Sequence, residues 1–140
     1  MMSQTYISAD LRRQVIQRAG NCCEYCLLSA DDSMFSFQVD HIISEKHEGE
    51  TLFDNLAFSC PSCNSSKGSD IGSYDKITKE LIPLYNPRTQ KWDDHFQLDG
   101  ILIQPTSSVG RVTVRLLKLN REEQLSERKG LIRLGRYPCK

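Results

Sequence analysis

Cysteines are the residues of this sequence whose spacing most directly indicates chemistry. They form two Cys-x-x-Cys pairs separated by 33 residues, Cys23 with Cys26 and Cys60 with Cys63. A spacing of two residues lets both thiolates reach one ion, and four thiolates complete the tetrahedron that structural zinc prefers. Because such a site leaves no open coordination position, the sequence predicts one zinc ion with a structural role and not a catalytic one.

The remaining cysteines, and the pairs themselves, leave alternatives open. A Cys-x-x-Cys pair can be a redox centre, but two pairs without a thioredoxin-like βαβ pattern favour zinc. Cys22 could replace Cys23 as a ligand, because its three-residue spacing to Cys26 is also possible. The equal spacing of the two pairs favours Cys23. We expect Cys139 to be a bystander near a loose terminus, because in a reducing compartment cysteines serve metal binding or catalysis before disulfides.

Polar residues between and beside the cysteine pairs suit phosphodiester hydrolysis. They are the adjacent Asp40 and His41 in an apolar segment, then Asn55, and Asn64 directly after the second pair. Carboxylate and amide oxygens are ligands suited to Mg²⁺, and an imidazole can act as a general base near neutral pH. Taken singly, a histidine in an apolar strand or an asparagine in a loop is more often structural. The combination therefore carries the argument.

With its flanking cysteine pairs, this combination resembles the HNH endonuclease family and its ββα-metal finger, in the variant with Asn in place of the last His. The resemblance implies that His41 is the general base that activates water. It implies that Asp40 and Asn64 hold a catalytic Mg²⁺ or Mn²⁺ ion, since an amide oxygen still suits Mg²⁺. It further implies that Asn55 ties the hairpin loop together and orients His41, and that Lys67 contacts phosphate.

Hydrophobic periodicity predicts the elements that position these residues. Helix signals run from Ser8 to Ala19, with Ser8 as the cap and Gly20 as the stop. Alternating apolar residues predict a strand over residues 35–43 and a second near 55–59. A helix over residues 60–67 follows, because proline suits the first turn of a helix and glycine ends it. The chemistry-bearing residues would therefore lie on a hairpin followed by a helix.

The C-terminal half shows a second set of elements. Phe96 to Ile103 predicts a hairpin, because Asp99-Gly100 favours a two-residue turn. The alternation of Val112, Val114 and Leu116 predicts a further strand. Asn120 is expected to cap a terminal helix, and Glu123, three residues later, would complete a capping box.

Together these elements predict an α+β fold. It comprises a ββα-metal (HNH) finger with two Cys-x-x-Cys zinc knuckles, an N-terminal helix, and a C-terminal hairpin plus helix. With 140 residues the chain is long enough for one compact domain. We expect a single HNH nuclease domain over residues 1–140, with a core at 8–70 and a C-terminal extension at 71–140. The resemblance to the family covers about residues 18–68 and is weaker beyond them.

Charge is unevenly distributed along a chain whose formal net charge is zero. Residues 1–21 carry +2, residues 22–110 carry −8 and residues 111–140 carry +6. The basic C-terminal stretch predicts a surface that holds phosphates while the acidic middle carries the chemistry. A solvated helix face is the alternative. The candidate DNA contacts are Lys67 in the finger and Arg128, Lys129 and Arg133 in the terminal stretch.

Composition narrows the class of protein. Hydrophobic residues make up 39% and charged residues 26% of the chain, as in ordinary globular proteins. No apolar run approaches the roughly 20 residues of a membrane helix, and no secretory signal is recognisable. We therefore expect a cytoplasmic, metal-dependent endonuclease acting on DNA, in its double-stranded form. The alternatives are a non-catalytic nucleic-acid-binding module stabilised by zinc, and an adaptor that uses zinc for stability alone.

Overall fold

A computed structural model describes residues 6–139 of the chain. These residues form four α-helices and six short strands, and the strands pair as three antiparallel hairpins. The helices are α1 (Ala9–Ala19), α2 (Pro61–Lys67), α3 (Ser108–Leu117) and α4 (Glu122–Arg133), and the strands are β1 (Gln38–His41), β2 (Leu56–Ser59), β3 (Gly72–Asp75), β4 (Glu80–Pro83), β5 (Phe96–Asp99) and β6 (Leu102–Pro105). None of these helices is long and apolar enough to cross a membrane. The predicted α+β class is confirmed.

The first hairpin and the helix after it form the predicted ββα finger. In the hairpin, Asp40 of β1 pairs with Ala57 of β2, and His41 pairs with Leu56. All the residues of β2 are buried, so this strand belongs to the core while β1 keeps one side accessible. Both strands are shorter than predicted, because the alternating pattern continues into the flanking loops. The order strand, strand, helix is confirmed.

Helix α1 packs against the back of the finger. As predicted, Ser8 caps it by accepting a hydrogen bond from the N–H of Leu11, and Gly20 ends it in the left-handed conformation. Val15 faces the core and is fully buried. On the same side, Arg18 donates hydrogen bonds to the carbonyl of Leu56 over 2.6 Å and to that of Phe53 over 2.8 Å. These contacts fix the helix to the hairpin.

The hairpin of β3 and β4 lies in the stretch for which the sequence predicted no element. Its turn carries Lys79 in the left-handed conformation, where a glycine or asparagine would have marked a turn. The hairpin is attached to α3 through Asp75, which is buried and accepts two hydrogen bonds from Arg111. The sequence carries no turn signal at this position, which is why the hairpin was not predicted.

Helix α3 replaces the strand predicted from Val112, Val114 and Leu116, and that prediction is wrong. Ser107 caps the helix by accepting a hydrogen bond from the N–H of Gly110. A Cβ at Gly110 would lie 2.1 Å from the carbonyl oxygen of His95, so only glycine permits this close approach. Residues two apart lie on nearly opposite sides of a helix, but α3 packs against the β3–β4 hairpin, β6 and α2. Both sides of the helix therefore bury apolar residues, which is why alternation alone could not distinguish the two structures.

Asn120 does not cap the terminal helix, contrary to the prediction. Its side chain pairs instead with the main chain of Ile103, accepting from the N–H and donating to the carbonyl, each over 2.9 Å. Arg121 occupies the cap position of α4, and its side chain forms no capping hydrogen bond. The amide of Asn120 therefore joins the end of α3 to β6, a contact between segments that sequence spacing does not reveal.

The C-terminal segment is attached to the chain around the first Cys-x-x-Cys pair. Cys139 forms a disulfide with Cys22, with their Cα atoms 5.8 Å apart, and its N–H donates to the carbonyl of Leu27. The buried hydroxyl of Tyr137 donates to the carbonyl of Cys26 over 2.7 Å. The expectation that Cys139 is a bystander in a loose terminus is therefore wrong, and Cys22 is removed as a rival zinc ligand.

Candidate metal centre and active site

Four cysteines come together at the start of α2. The sulfur atoms of Cys23, Cys26, Cys60 and Cys63 all lie within 4.8 Å of one another, and those of Cys26 and Cys60 are 3.7 Å apart. At a Zn–S distance of about 2.3 Å, the sulfurs of a tetrahedral site lie about 3.8 Å apart. All four side chains are buried. The cluster therefore fits one tetrahedral zinc ion with no open position.

Both knuckles carry the main-chain geometry that a thiolate pair needs. The N–H of Cys26 points to the sulfur of Cys23 over 3.5 Å, and the N–H of Cys63 points to that of Cys60 over 3.3 Å. In the second knuckle this contact is also the N-cap of α2. Such donors stabilise negative charge on sulfur, so each knuckle is arranged to hold a thiolate.

A buried ion pair ties the knuckle loop to the segment before β5. Glu24 forms a salt bridge with Arg88, and the side chains are 11% and 12% exposed. The other carboxylate oxygen of Glu24 accepts from the N–H of Phe58 in β2 over 2.8 Å. Trp92 adds a hydrogen bond from its indole N–H to the carbonyl of Tyr25 over 2.9 Å. The C-terminal extension thus packs directly on the finger.

Asp40 and His41 end β1, and as neighbours in the strand their side chains leave on opposite faces. Both side chains are half-buried. Burial raises the pKa of Asp40, and the ammonium of Lys67, 3.9 Å from its carboxylate, partly offsets that effect. A half-buried carboxylate without a hydrogen-bonded cation has an incompletely compensated charge, which a bound metal ion would balance.

The side chain of Lys67, the last residue of α2, extends to the end of β1. Its side chain is 2% exposed and its ammonium donates to the carbonyl of His41 over 3.0 Å. Burial lowers the pKa of Lys67, while Asp40 and Asp70 act in the opposite direction. The interpretation of Lys67 as a phosphate contact stays a prediction, and its burial and its hydrogen bond to the main chain disfavour it.

Asn64 lies one turn before Lys67 on α2. Residues three apart share one face of a helix, so Asn64 lies on the side of α2 that meets Asp40 and His41. Its side chain is half-buried, and among the described residues its amide has no hydrogen-bond partner. The amide oxygen is thus free to act as a ligand beside the carboxylate of Asp40.

Asn55 connects the two ends of the loop that follows His41. Its side-chain oxygen accepts from the N–H of Ile43 over 2.9 Å, and its side-chain nitrogen donates to the carbonyls of Ile43 and Glu50 over 2.9 and 2.8 Å. Inside the loop, a Cβ at Gly49 would lie 1.7 Å from the carbonyl oxygen of Ile43, so the loop closes tightly only with glycine there. This is the loop-tying geometry that the resemblance implied for Asn55.

Comparison with known families agrees with this geometry. Residues 23–70, which span both knuckles and the residues between them, match the family model of HNH endonucleases. Over these residues the chain is similar to an HNH domain. Comparisons with the curated proteins and with the solved structures give no match. Because HNH domains act on nucleic acids, the match supports a nuclease or nucleic-acid-binding function for this chain.

Outside residues 23–70, the predicted DNA contacts on α4 differ in their exposure to solvent. Arg128 is 4% exposed, and its guanidinium donates to the carbonyls of Ile101 over 2.5 Å and Leu119 over 2.6 Å. Its assignment as a DNA contact stays a prediction, and the occupation of its donors inside the protein disfavours it. Lys129 and Arg133 are exposed, and their role in DNA binding stays a prediction.

Sequence reasoning missed Thr51 at the candidate active site. The hydroxyl of Thr51 lies 2.8 Å from Nε2 of His41. The two residues are ten positions apart and meet only because the intervening loop folds back on the strand. A threonine in a polar loop has no sequence feature that marks such a contact, so the three-dimensional structure was needed to find it.

Proposed function

We propose that this HNH domain is a metal-dependent endonuclease that hydrolyses phosphodiester bonds of double-stranded DNA. The observation that carries the proposal is the contact of Lys67 with both Asp40 and His41. This contact brings α2 against the end of β1, and with it the face that bears Asn64. The carboxylate, the amide and the imidazole thereby lie on the two elements that meet at this contact, with Asp40 and His41 on opposite faces of β1.

In this proposal Asp40 and Asn64 hold a divalent metal ion, Mg²⁺ or Mn²⁺. The donor set fits, because one hard anionic oxygen and one neutral amide oxygen leave room for water and phosphate ligands. Among the described residues, neither side chain forms a hydrogen bond with another side chain that would compete with a metal ion. When bound, the metal ion would offset the negative charge that develops on the phosphate and the leaving oxygen.

His41 acts as the general base. In its neutral form it removes a proton from a water molecule, whose oxygen attacks phosphorus in line with the bond to the 3′ oxygen. That bond breaks, the 3′ oxygen leaves with a proton from solvent, and a 5′ phosphate remains. Proton abstraction by a positioned side chain typically contributes about 10²- to 10⁴-fold in rate. One finger cuts one strand, so cutting both strands requires two copies or two binding events.

The cysteine cluster supports this site from behind, and we propose that it holds one structural zinc ion. Cys60 and Cys63 begin α2, whose far end places Lys67 against β1. Zinc thus holds the hairpin and the helix of the finger together. In the same proposal residues 1–140 act as a single domain, in which the extension at 71–140 buttresses the finger.

A plasmid-nicking assay tests the proposal. The wild-type protein should convert supercoiled plasmid to open circles with Mg²⁺ and not with excess chelator. His41→Ala should lower the nicking rate by about 10²- to 10⁴-fold, while zinc content, melting temperature and DNA affinity stay close to wild type. His47→Ala is the matched control, because His47 is exposed on the loop after β1.

Asp40→Ala should also abolish nicking, but higher Mg²⁺ concentrations should restore part of it, whereas no metal concentration should restore His41→Ala. An unstable but active His41→Ala variant would show that the histidine is structural. DNA binding without Mg²⁺-dependent nicking by the wild-type protein would favour a non-catalytic binding module.

A further inference from the structure

The candidate general base is held through one of its two ring nitrogens. Nε2 of His41 lies 2.8 Å from Oγ1 of Thr51, and both side chains are half-buried. Among the described residues, none forms a hydrogen bond with Nδ1 of His41. The imidazole therefore has one nitrogen engaged with the protein and one open to a small molecule.

Asn55 fixes Thr51 relative to the strand. Its side chain donates to the carbonyl of Glu50 and its main-chain N–H donates to the carbonyl of Leu52, each over 2.8 Å, so both neighbours of Thr51 are held. The carbonyl of Asn55 accepts from the N–H of Ile42, directly after the candidate base, over 2.9 Å. The separation of the threonine hydroxyl and the imidazole is thus set by one asparagine.

A neutral imidazole carries one N–H and one lone pair, so its tautomer decides which nitrogen can accept a proton. A nitrogen that is bonded to a hydroxyl cannot at the same time take the proton of an attacking water. Building on the proposed nuclease function, we propose that Thr51 is a positioning residue for His41. Its hydroxyl accepts a hydrogen bond from the Nε2–H of His41 and leaves the lone pair on Nδ1 as the base.

Through Thr51, Asn55 can orient the ring of His41 without contacting it. The asparagine holds the two peptide carbonyls on either side of Thr51, and the threonine hydroxyl transmits that placement to the ring. In the opposite tautomer Nδ1 would carry the proton, and His41 could not accept one from water at that nitrogen. Because a hydroxyl can donate or accept, the proposal rests on the direction from Nε2–H to Oγ1, which leaves the reactive lone pair on Nδ1.

Two substitutions separate the hydroxyl from the shape of the side chain. Thr51→Val keeps the shape and removes the hydroxyl, whereas Thr51→Ser keeps the hydroxyl. We expect Thr51→Val to lower kcat for plasmid nicking about 10- to 100-fold with KM for DNA unchanged, and Thr51→Ser to stay within a few-fold of wild type. Thr106→Val, on an exposed loop position away from the finger, is the matched control.

The tautomer can be read independently of activity. Long-range proton–nitrogen correlation NMR distinguishes protonated from unprotonated ring nitrogens, and the chain has only 3 histidines to assign. His41 should carry its proton on Nε2 in the wild type and in Thr51→Ser, and should populate both tautomers in Thr51→Val. Zinc content and melting temperature should be the same in all these variants.

A wild-type His41 protonated on Nδ1 would overturn the proposal, even in an active enzyme. So would a Thr51→Val variant that nicks DNA at the wild-type rate. Failure of the nuclease function itself has a different signature, because wild-type protein would then be inactive with Mg²⁺ while the NMR spectra still reported the tautomer that Thr51 selects.

Discussion

The ammonium of Lys67 donates a hydrogen bond to the main-chain carbonyl of His41 over 3.0 Å. This contact joins the last turn of α2 to the last residue of β1, and so joins the two halves of the ββα finger at the candidate active site. Because Cys60 and Cys63 of the buried cysteine cluster lie at the other end of α2, the helix has tertiary contacts at both ends. The position of Asn64 between those ends is fixed with it.

Replacing Lys67 tests whether it supports the site or contacts DNA. Lys67→Met removes the hydrogen bond to His41 and should destabilise the protein by about 1–3 kcal/mol, the usual cost of leaving a buried polar partner unsatisfied. The nicking rate should fall, because β1 and α2 are no longer joined. Chemical denaturation and the plasmid assay measure the two effects. DNA affinity and its salt dependence should not change, and a clear drop in either would restore Lys67 as a phosphate contact.

Removing one zinc ligand should unfold the finger. Structural zinc sites contribute about 10 kcal/mol or more of folding free energy, which exceeds the margin of a small domain. Cys60→Ser should therefore aggregate or lose its cooperative melting transition, and elemental analysis should find less than one zinc per chain. Wild type should contain one.

Cys22→Ser is the matched control, because Cys22 is bonded to Cys139 and not to the cluster. It should keep its zinc and lose only the cross-link to the C-terminal segment, at a cost of about 2–4 kcal/mol. A folded, zinc-free wild type, or an equal loss of zinc from both variants, would contradict the assignment of the ligands.

The basic C-terminal stretch gives opposite predictions for neighbouring residues. Reversing Lys129 and Arg133 to Glu should weaken DNA binding and flatten its salt dependence by about one unit for each phosphate that these side chains no longer neutralise. Arg128→Met should instead lower the melting temperature, because the guanidinium donates to buried carbonyls, and should leave the salt slope unchanged. Fluorescence anisotropy at several salt concentrations measures the slopes, and thermal melting measures the stability. An unchanged slope in the double variant would make Lys129 and Arg133 part of a solvated face only.

The ion pair of Asp75 and Arg111 predicts a dependence of stability on pH. Hydrogen bonds from Arg111, and then from the N–H of Thr78, hold the pKa of Asp75 well below its ordinary 3.8. Because the folded state binds this proton more weakly than the unfolded state, the pair stabilises fully above about pH 4 and progressively less as the pH falls below it. Asp75→Asn should therefore lose less stability on acidification than wild type.

Melting curves of both proteins across this range measure the effect. Their difference isolates Asp75, since protonation of the zinc ligands affects both proteins equally. Differences in melting temperature that stay constant with pH would show that the pair does not link folding to protonation.

Much of the finger follows from the sequence alone, because its signals are local. A spacing of two residues suffices for Cys23 and Cys26 to reach one ion, and a capping serine and a terminal glycine act within one helical turn. The β5–β6 hairpin also forms as predicted, although its two turn residues are Gly100 and Ile101, one position later than the predicted Asp99-Gly100 turn. Such features depend on few neighbours, and the structure reproduces them.

Local patterns failed where two structures satisfy the same pattern. Alternating apolar residues at Val112, Val114 and Leu116 fit a strand, but they also fit a helix that is covered on more than one side, as α3 is by the β3–β4 hairpin, β6 and α2. Asn120 could have capped α4, but the main chain of Ile103 offered its amide two hydrogen bonds instead.

The identities of the candidate metal ligands and base were determined by the sequence, whereas the accessibility of the residues around them was decided only by the tertiary structure. Lys67 and Arg128 have the charge of DNA contacts, yet distant main-chain carbonyls cover and bond them. Thr51 has no distinguishing spacing, yet loop closure brings it to His41. Burial and hydrogen bonding depend on segments far apart in the chain, and no local spacing encodes which segments will meet.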